Sequence, residues 1–244
     1  MTRWQAPQPK TPTYVIGDVH GCVDQLARLL DQIDTDIARL GGGEVVFVGD
    51  YIDRGKDSAN VLRFVAEMTA SYPAMVTGLA GNHEDMMLDF LGAPTGHAKR
   101  WLKHGGSETL KSFGISPLSR AAAKDAKALM DTANALREAL TPQLVSWLSH
   151  LPTSWSSGNL WVVHAGADPA IAMSKQDPKR LMWGYGAFLE VEREDGQWVA
   201  FGHIPVDVPY ADAGRIAVDT GAVYGGALTA ARVMPDGEIS FLSA

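Results

Sequence analysis

Three observations predict an α/β fold. Short apolar, β-branched runs alternate with amphipathic helical stretches through the first third of the chain. Each of those runs leads to a glycine beside an oxygen or imidazole donor. After a strand-free middle, the pattern returns to β runs.

Residues 1–12 read as a flexible N-terminal arm, because Pro7, Pro9 and Pro12 discourage regular structure. Tyr14-Val15-Ile16 is a short strand of the buried type, ending at Gly17. Beyond Gly21, Val23, Leu26, Leu30, Ile33, Ile37 and Leu40 recur at gaps of three and four, which marks an amphipathic helix. Gly41-Gly42-Gly43 stops it. Val45-Val46-Phe47-Val48 is the second strand, running into Gly49-Asp50. Asp57 or Ser58 can cap a second helix that runs to about Ala70. Met75-Val76-Thr77 leads towards Gly81, and Met86, Met87, Phe90 and Leu91 predict a third helix. This β-α-β-α-β order implies a largely parallel sheet with crossover helices. In such a sheet, functional residues sit in the loops at the carboxyl ends of the strands.

Residues 13–244 read as a single domain, with a helical insertion at about 92–150 packed beside the site. The insertion has no clear strand, and residues 121–140 are alanine-rich. Thr141-Pro142 is an N-cap and N1 pair for a last helix through Trp147. Strands follow at Leu160-Trp161-Val162-Val163, Trp198-Val199-Ala200-Phe201, Ile216-Ala217-Val218, 227–233 and 238–242. Pro235-Asp236-Gly237 is a hairpin turn between the last two. This half is expected to form a more antiparallel sheet.

The bulk properties narrow the partners. The net charge of −7 disfavours nucleic acid, which needs a basic surface. Cys22 is the only cysteine, so no internal disulfide can form, which fits a reducing compartment. Residues 1–13 have no apolar core of a signal peptide, and no apolar run approaches the length of a membrane span. The expectation is a cytoplasmic soluble protein with no membrane partner. Its oligomeric state is left open.

Five blocks carry the chemistry: Gly17-Asp18-Val19-His20-Gly21, Gly49-Asp50-Tyr51-Ile52-Asp53-Arg54-Gly55, Gly81-Asn82-His83-Glu84, His164-Ala165-Gly166 and Gly202-His203. The chain has seven histidines, and four of them fall in these blocks. Asp18 and His20 are two residues apart, so in extended chain they point the same way and can share one metal ion. Asp50 can bridge to a second ion, completed by Asn82, His164 and His203. Carboxylate, amide and imidazole donors without thiolate suit manganese, iron or zinc. Two such ions about 3.5–4 Å apart are a device for displacement at phosphorus. Arg54 can hold a phosphoryl group through two parallel hydrogen bonds, or else form a surface ion pair. His83 can donate a proton to a leaving alkoxide with Asp53 orienting it, or else serve as a further ligand.

The order of these blocks resembles the PPP family of metallophosphoesterases, over roughly residues 13–242. The seven residues from Gly49 to Gly55 are its most specific piece. The resemblance implies a calcineurin-like αββα sandwich of two mixed sheets. It implies two divalent metal ions, manganese being expected and iron or zinc the alternatives. Asp18, His20 and Asp50 would hold the first, and Asp50, Asn82, His164 and His203 the second. It further implies His83 as the acid, Asp53 as its support and Arg54 as the phosphate clamp. Trp101, Gly105-Gly106 and Thr109 look like a segment of the bacterial and phage branch, as does Asp219-Thr220-Gly221 before Tyr224. Two positions depart from that branch. Tyr185 stands where a second phosphate-binding arginine is usual, and Arg180, Arg100 or Lys103 are the cations that could replace it. His104 stands where asparagine is frequent and is a candidate for the substrate pocket.

The function expected is metal-dependent hydrolysis of phosphate monoesters, on phosphoserine or phosphothreonine in proteins, by direct attack of a metal-bound hydroxide. One alternative is a symmetrical diadenosine tetraphosphate hydrolase, although Glu84 and the Asp53-Arg54 pair favour the phosphatase. An alternative of another class is a catalytically weak, metal-containing scaffold protein.

Overall fold

The computed structural model describes residues 5–244. Two five-stranded mixed sheets stack face to face, with helices outside each. The first sheet contains β1 (Thr13–Ile16), β2 (Glu44–Phe47) and β3 (Val76–Gly78), all parallel. It is extended by two late strands, β9 (Thr229–Val233) and β10 (Ile239–Ser243), in the order β10-β9-β1-β2-β3. The second sheet contains β4 (Ser154–Ser157), β5 (Leu160–Val163), β6 (Trp198–Phe201), β7 (Tyr210–Asp212) and β8 (Arg215–Ala217), in the order β4-β5-β6-β8-β7.

The alternation along each strand builds the layers. Val15, Val46 and Val233 face Val162, Ala200 and Ile216 between the sheets. Tyr14, Ile16, Val45 and Phe47 point the other way, onto helices α1 (Val23–Leu40), α2 (Ser58–Ser71) and α3 (Asn82–Gly92). Val163, Val199 and Phe201 face outward onto Leu181 of α7 (Pro178–Trp183) and onto Met173 and Phe188. Each fully buried Val or Leu contributes about 1.5–3 kcal/mol, so a one-residue slip of a strand is costly on both faces.

Three expectations are corrected. The second sheet is parallel at its centre, because β5, β6 and β8 run the same way and only β4 and β7 oppose them. Residues 227–233 and 238–242 do not belong to it. They form a hairpin, turning at Pro235-Asp236-Gly237 as expected, that pairs with β1 through β9. Within the proposed arm, residues 5–12 are irregular yet fastened to the second sheet. Pro7 and Pro9 are buried, and the Gln8 and Lys10 amides donate to Asn159 and Ser157. The tertiary partners lie about 150 residues away in sequence, beyond any local signal. The first four residues of that arm lie outside the described residues.

The insertion contains no strand: α4 (Pro94–Trp101), a wide turn over Leu102–Gly106 and α5 (Ser107–Ser112) lead through an irregular link over 113–125, with one short 3-10 turn, to α6 (Ala126–Ser149). Its Leu129, Leu136 and Leu140 share one core with Phe90 and Trp101. Helix α6 breaks at Thr141, whose φ is 66°, and restarts at Pro142, as the N-cap and N1 reading anticipates.

Helix α1 is tied to the first sheet by Asp36, which accepts from Tyr14 Oη (2.7 Å), Arg232 (3.0 Å) and Arg39 (2.6 Å). Burial pushes this carboxyl up, but the three hydrogen bonds outweigh it and bring it down to about 2. A carboxyl depressed on folding stabilises above its ordinary value near 3.8, and that contribution is lost as pH falls through about 2. Thermal melts of Asp36→Asn should therefore show a lower midpoint than the parent at pH 7. The gap should narrow as the pH is lowered from 4 towards 2.

Candidate metal centre and catalytic site

All five blocks gather at one edge of the sandwich, beyond the carboxyl ends of β1, β2, β3, β5 and β6. The third block is not wholly loop: Asn82 and His83 form the first turn of α3. The turns are bonded to one another across the two sheets. The Val19 and His20 amides donate to Asp50 O, the Gly202 amide to His164 O and the His203 amide to the Asp18 carboxylate. Glycine is needed where the turns touch. A Cβ on Gly49 would meet the Gly81 nitrogen at 2.5 Å, and one on Gly55 would collide with His20 O.

Seven non-glycine residues have positive φ among the described residues, and five of them are site candidates: His20, Asp50, Asp53, Arg54 and His203. Left-handed backbone costs of order 1–3 kcal/mol at such a residue and persists where the surroundings enforce it.

The donors converge in two groups that share Asp50. His20 and Asp50 meet with the Nε2 of His83, and Asp50 meets His164 and His203. His20 Nε2 lies 3.5 Å from Asp50 Oδ2, and His164 Nε2 lies 3.4 Å from Asp50 Oδ1. Asn82 Oδ1 joins the second group, 2.9 Å from His164 Nε2 and 2.8 Å from His203 Nδ1. The tautomers follow from the backbone. His20 Nδ1 meets Ile52 O at 2.6 Å and His164 Nδ1 meets Val48 O at 3.1 Å. A carbonyl only accepts, so each Nδ1 carries the proton and each Nε2 keeps its lone pair. The lone pair of His164 then faces Asn82 Oδ1 and Asp50 Oδ1, and the imidazole has no proton to offer either. Burial also favours neutral imidazole: it pushes His20 down to about 3 and His164 well below its ordinary value. Neutral, buried, converging acceptors are the donor set that suits a divalent cation. The residues therefore fit the metal centre that their motifs imply.

Asp18 takes a position of its own. Both oxygens accept the His203 amide, and the Asp219 carboxyl, two residues beyond β8, is a close neighbour. Burial, then the neighbouring Asp219 and Asp50, push its carboxyl well up. His83 lies where both of its sequence readings meet. Its Nδ1 is 2.6 Å from Asp53 Oδ2, while its Nε2 is 3.8 Å from Asp50 Oδ2. Burial lowers its pKa, and His20, Arg54, His164 and His104 add to the effect. Arg54 donates from one guanidinium nitrogen to His20 Nε2 at 2.8 Å and lies against the Tyr224 ring. His104 sits beside His83, their ring centroids 6.3 Å apart. Tyr185 is instead covered by the Arg180 guanidinium, which Asp168 holds at 2.5 Å. Arg100 stacks on Trp183 at 3.8 Å. Arg180 and Arg100 thus each lie against an aromatic ring in this arrangement.

Residues 11–207 match the family model described as calcineurin-like phosphoesterase. The chain belongs to that family. It is 28% identical to the asymmetrical bis(5'-nucleosyl)-tetraphosphatase PrpE of Halalkalibacterium halodurans, covering 94% of this chain and 92% of that protein. It is also 28% identical to serine/threonine-protein phosphatase 1 of Salmonella typhimurium, covering 90% and 91% respectively. The crystal structure of a cold-active protein-tyrosine phosphatase from a Shewanella species shares the fold, with a TM-score of 0.62, 19% identity and coverage of 99% and 82%. No helix among the described residues is long and apolar enough to cross a membrane.

Sequence reasoning used Glu84 only to separate two substrate readings and gave it no part in building the site. Its carboxylate, 1% exposed, accepts the amides of Asp50 (2.9 Å), Tyr51 (2.9 Å) and Gly81 (3.0 Å). It locks the second block onto the start of α3. The signal was available, because a glutamate three residues after an N-cap is half of a capping box. Burial pushes this carboxyl up to about 7 against the pull of the amides. Glu84→Ala, which leaves three buried N–H groups without an acceptor, should lower the free energy of urea unfolding by about 3 kcal/mol. Glu84→Gln, which keeps one acceptor oxygen, should lose roughly half as much.

Proposed function

We propose that this protein hydrolyses phosphate monoesters with two divalent cations, manganese first among them, and that phosphoserine or phosphothreonine in proteins is its substrate. The observation that carries the reading is the pair of donor groups sharing Asp50, with His83 beside them on Asp53. His20, Asp50 and Asp18 would hold one cation, and Asp50, Asn82, His164 and His203 the other. The cations would supply Lewis acidity, lowering the pKa of water and neutralising charge on phosphoryl oxygens.

The protein's own groups do the rest. In hydrolysis a water oxygen bonds to phosphorus as the bond to the leaving oxygen breaks. That leaving oxygen needs a proton, and His83 is placed to give one from Nε2. With Nδ1–H directed to Asp53, a proton on Nε2 makes an imidazolium, whose charge the Asp53 carboxylate offsets. Arg54 brings guanidinium donors to the same centre, from which they can turn to phosphoryl oxygens.

A second reading is hydrolysis of dinucleoside tetraphosphates, favoured by the name of the Halalkalibacterium relative. Rates on a phosphothreonine peptide and on diadenosine tetraphosphate separate the two. A tetraphosphate rate exceeding the peptide rate would overturn the protein-phosphatase reading.

Two further outcomes are expected. His83→Asn should lower kcat on phenyl phosphate about 10²- to 10⁴-fold with metal content unchanged by elemental analysis. Asn82→Ala and His164→Ala should each lower the metal bound per chain and, unlike His83→Asn, should reduce the thermal stabilisation gained when manganese is added to chelator-treated protein.

A further inference from the structure

The helical insertion reaches the centre through residues 101–109. Asp53 is fully buried, and its carboxylate is surrounded by donors. Trp101 Nε1, at the end of α4, lies 3.1 Å from both carboxylate oxygens. The Thr109 hydroxyl, on α5, donates to Oδ1 at 2.6 Å, leaving Oδ2 to His83 Nδ1 at 2.6 Å. Thr109 also accepts the Asp53 amide at 2.9 Å, with Ser58 Oγ sharing it at 3.0 Å. These bonds hold a residue whose φ of 70° is unfavourable by itself.

The segment between the two donors is built to keep them there. Trp101 is fully buried and stacks on Phe90 with ring centroids 4.8 Å apart. Gly106 lies flat on the indole, where a Cβ would come within 2.6 Å of the ring. The Gly105 carbonyl accepts the Arg54 amide at 3.4 Å, so the same wide turn backs the residue after Asp53. Burial pushes the Asp53 carboxyl up, while the Thr109 hydroxyl and the Trp101 indole pull it back. Both groups donate, so they favour the carboxylate, which can only accept from His83.

We propose that Trp101 and Thr109 are positioning residues for the hydrolysis, aiming the Asp53 carboxylate at His83 Nδ1 so that His83 Nε2 presents its proton to the leaving oxygen. The insertion is then part of the catalytic machinery rather than a cover for the core. This rests on the acid role given to His83 above.

Dependence on the leaving group tests it. Phenolate needs a proton from the enzyme more than p-nitrophenolate does, and both esters are small, so fit changes little between them. Steady-state kinetics would be measured on phenyl phosphate and p-nitrophenyl phosphate for the parent, His83→Asn, Trp101→Phe, Thr109→Val and Thr109→Ser, each loaded with manganese and assayed for bound metal. Trp101→Phe and Thr109→Val should lower kcat on phenyl phosphate tenfold or more. On p-nitrophenyl phosphate they should change kcat less than threefold, with KM and metal content held. Thr109→Ser, which keeps the hydroxyl, should restore most of the phenyl phosphate rate. Equal slowing of both esters, or no slowing of either, in both Trp101→Phe and Thr109→Val would overturn the proposal while His83→Asn remains selective. Should His83→Asn itself slow both esters equally, the acid role fails and this proposal falls with it. If Trp101→Phe does not fold, Thr109→Val and its serine counterpart decide the matter alone.

Discussion

The centre depends on one buried carboxylate that ties its turns together. Glu84 accepts three backbone amides, from Asp50, Tyr51 and Gly81, and so fixes the turn after β2 against the first turn of α3. Asp50 is the donor common to both candidate groups, and Asn82 and His83 follow directly on Gly81. Moving Glu84 would move all three. The charge is costly to bury, but three amide donors offset much of that cost. Without it, the three amides would be buried with no acceptor. The glycines belong to the same constraint, since a Cβ on Gly49 would meet the Gly81 backbone and one on Gly81 would meet Asp50.

Strain and electrostatics at the centre have one origin. The five turns meet from two sheets, and their chain must bend sharply at the residues that face inward. His20, Asp50, Asp53, Arg54 and His203 accept left-handed backbone to do so. Burial then strips water from the imidazoles and pushes His20, His164, His83 and His203 towards the neutral form. Neutral imidazole repels a cation far less than imidazolium and offers it a lone pair. The packing that strains the backbone thus also prepares the donors.

Much of the fold was legible because its signals are local. The helix over Val23–Leu40 shows in apolar spacing, the break at Thr141-Pro142 in cap chemistry and the β9–β10 hairpin in Pro235-Asp236-Gly237. The direction of β5, β6 and β8, and the return of β9 to pair with β1, were not legible. Strand pairing joins residues far apart, and an apolar run reads alike in either orientation. The docking of residues 5–12 escaped for the same reason. Prolines forbid regular structure but not attachment through Gln8 and Lys10 to Ser157 and Asn159.

At the site, the sequence by itself determined the donor types and their order along the chain. Asp, His and Asn stand beside glycine at strand ends, within the residues 11–207 that match the calcineurin-like phosphoesterase family. Only the tertiary structure decided how those donors are shared. It set Asp50 between two groups, turned Asp18 towards the His203 amide and Asp219, and sent Tyr185 to Arg180. It also brought Trp101 and Thr109 onto Asp53 across about fifty residues of chain. Side-chain chemistry is written residue by residue. Which lone pair faces which proton is set by packing two sheets and an insertion together, and that is a property of the whole chain.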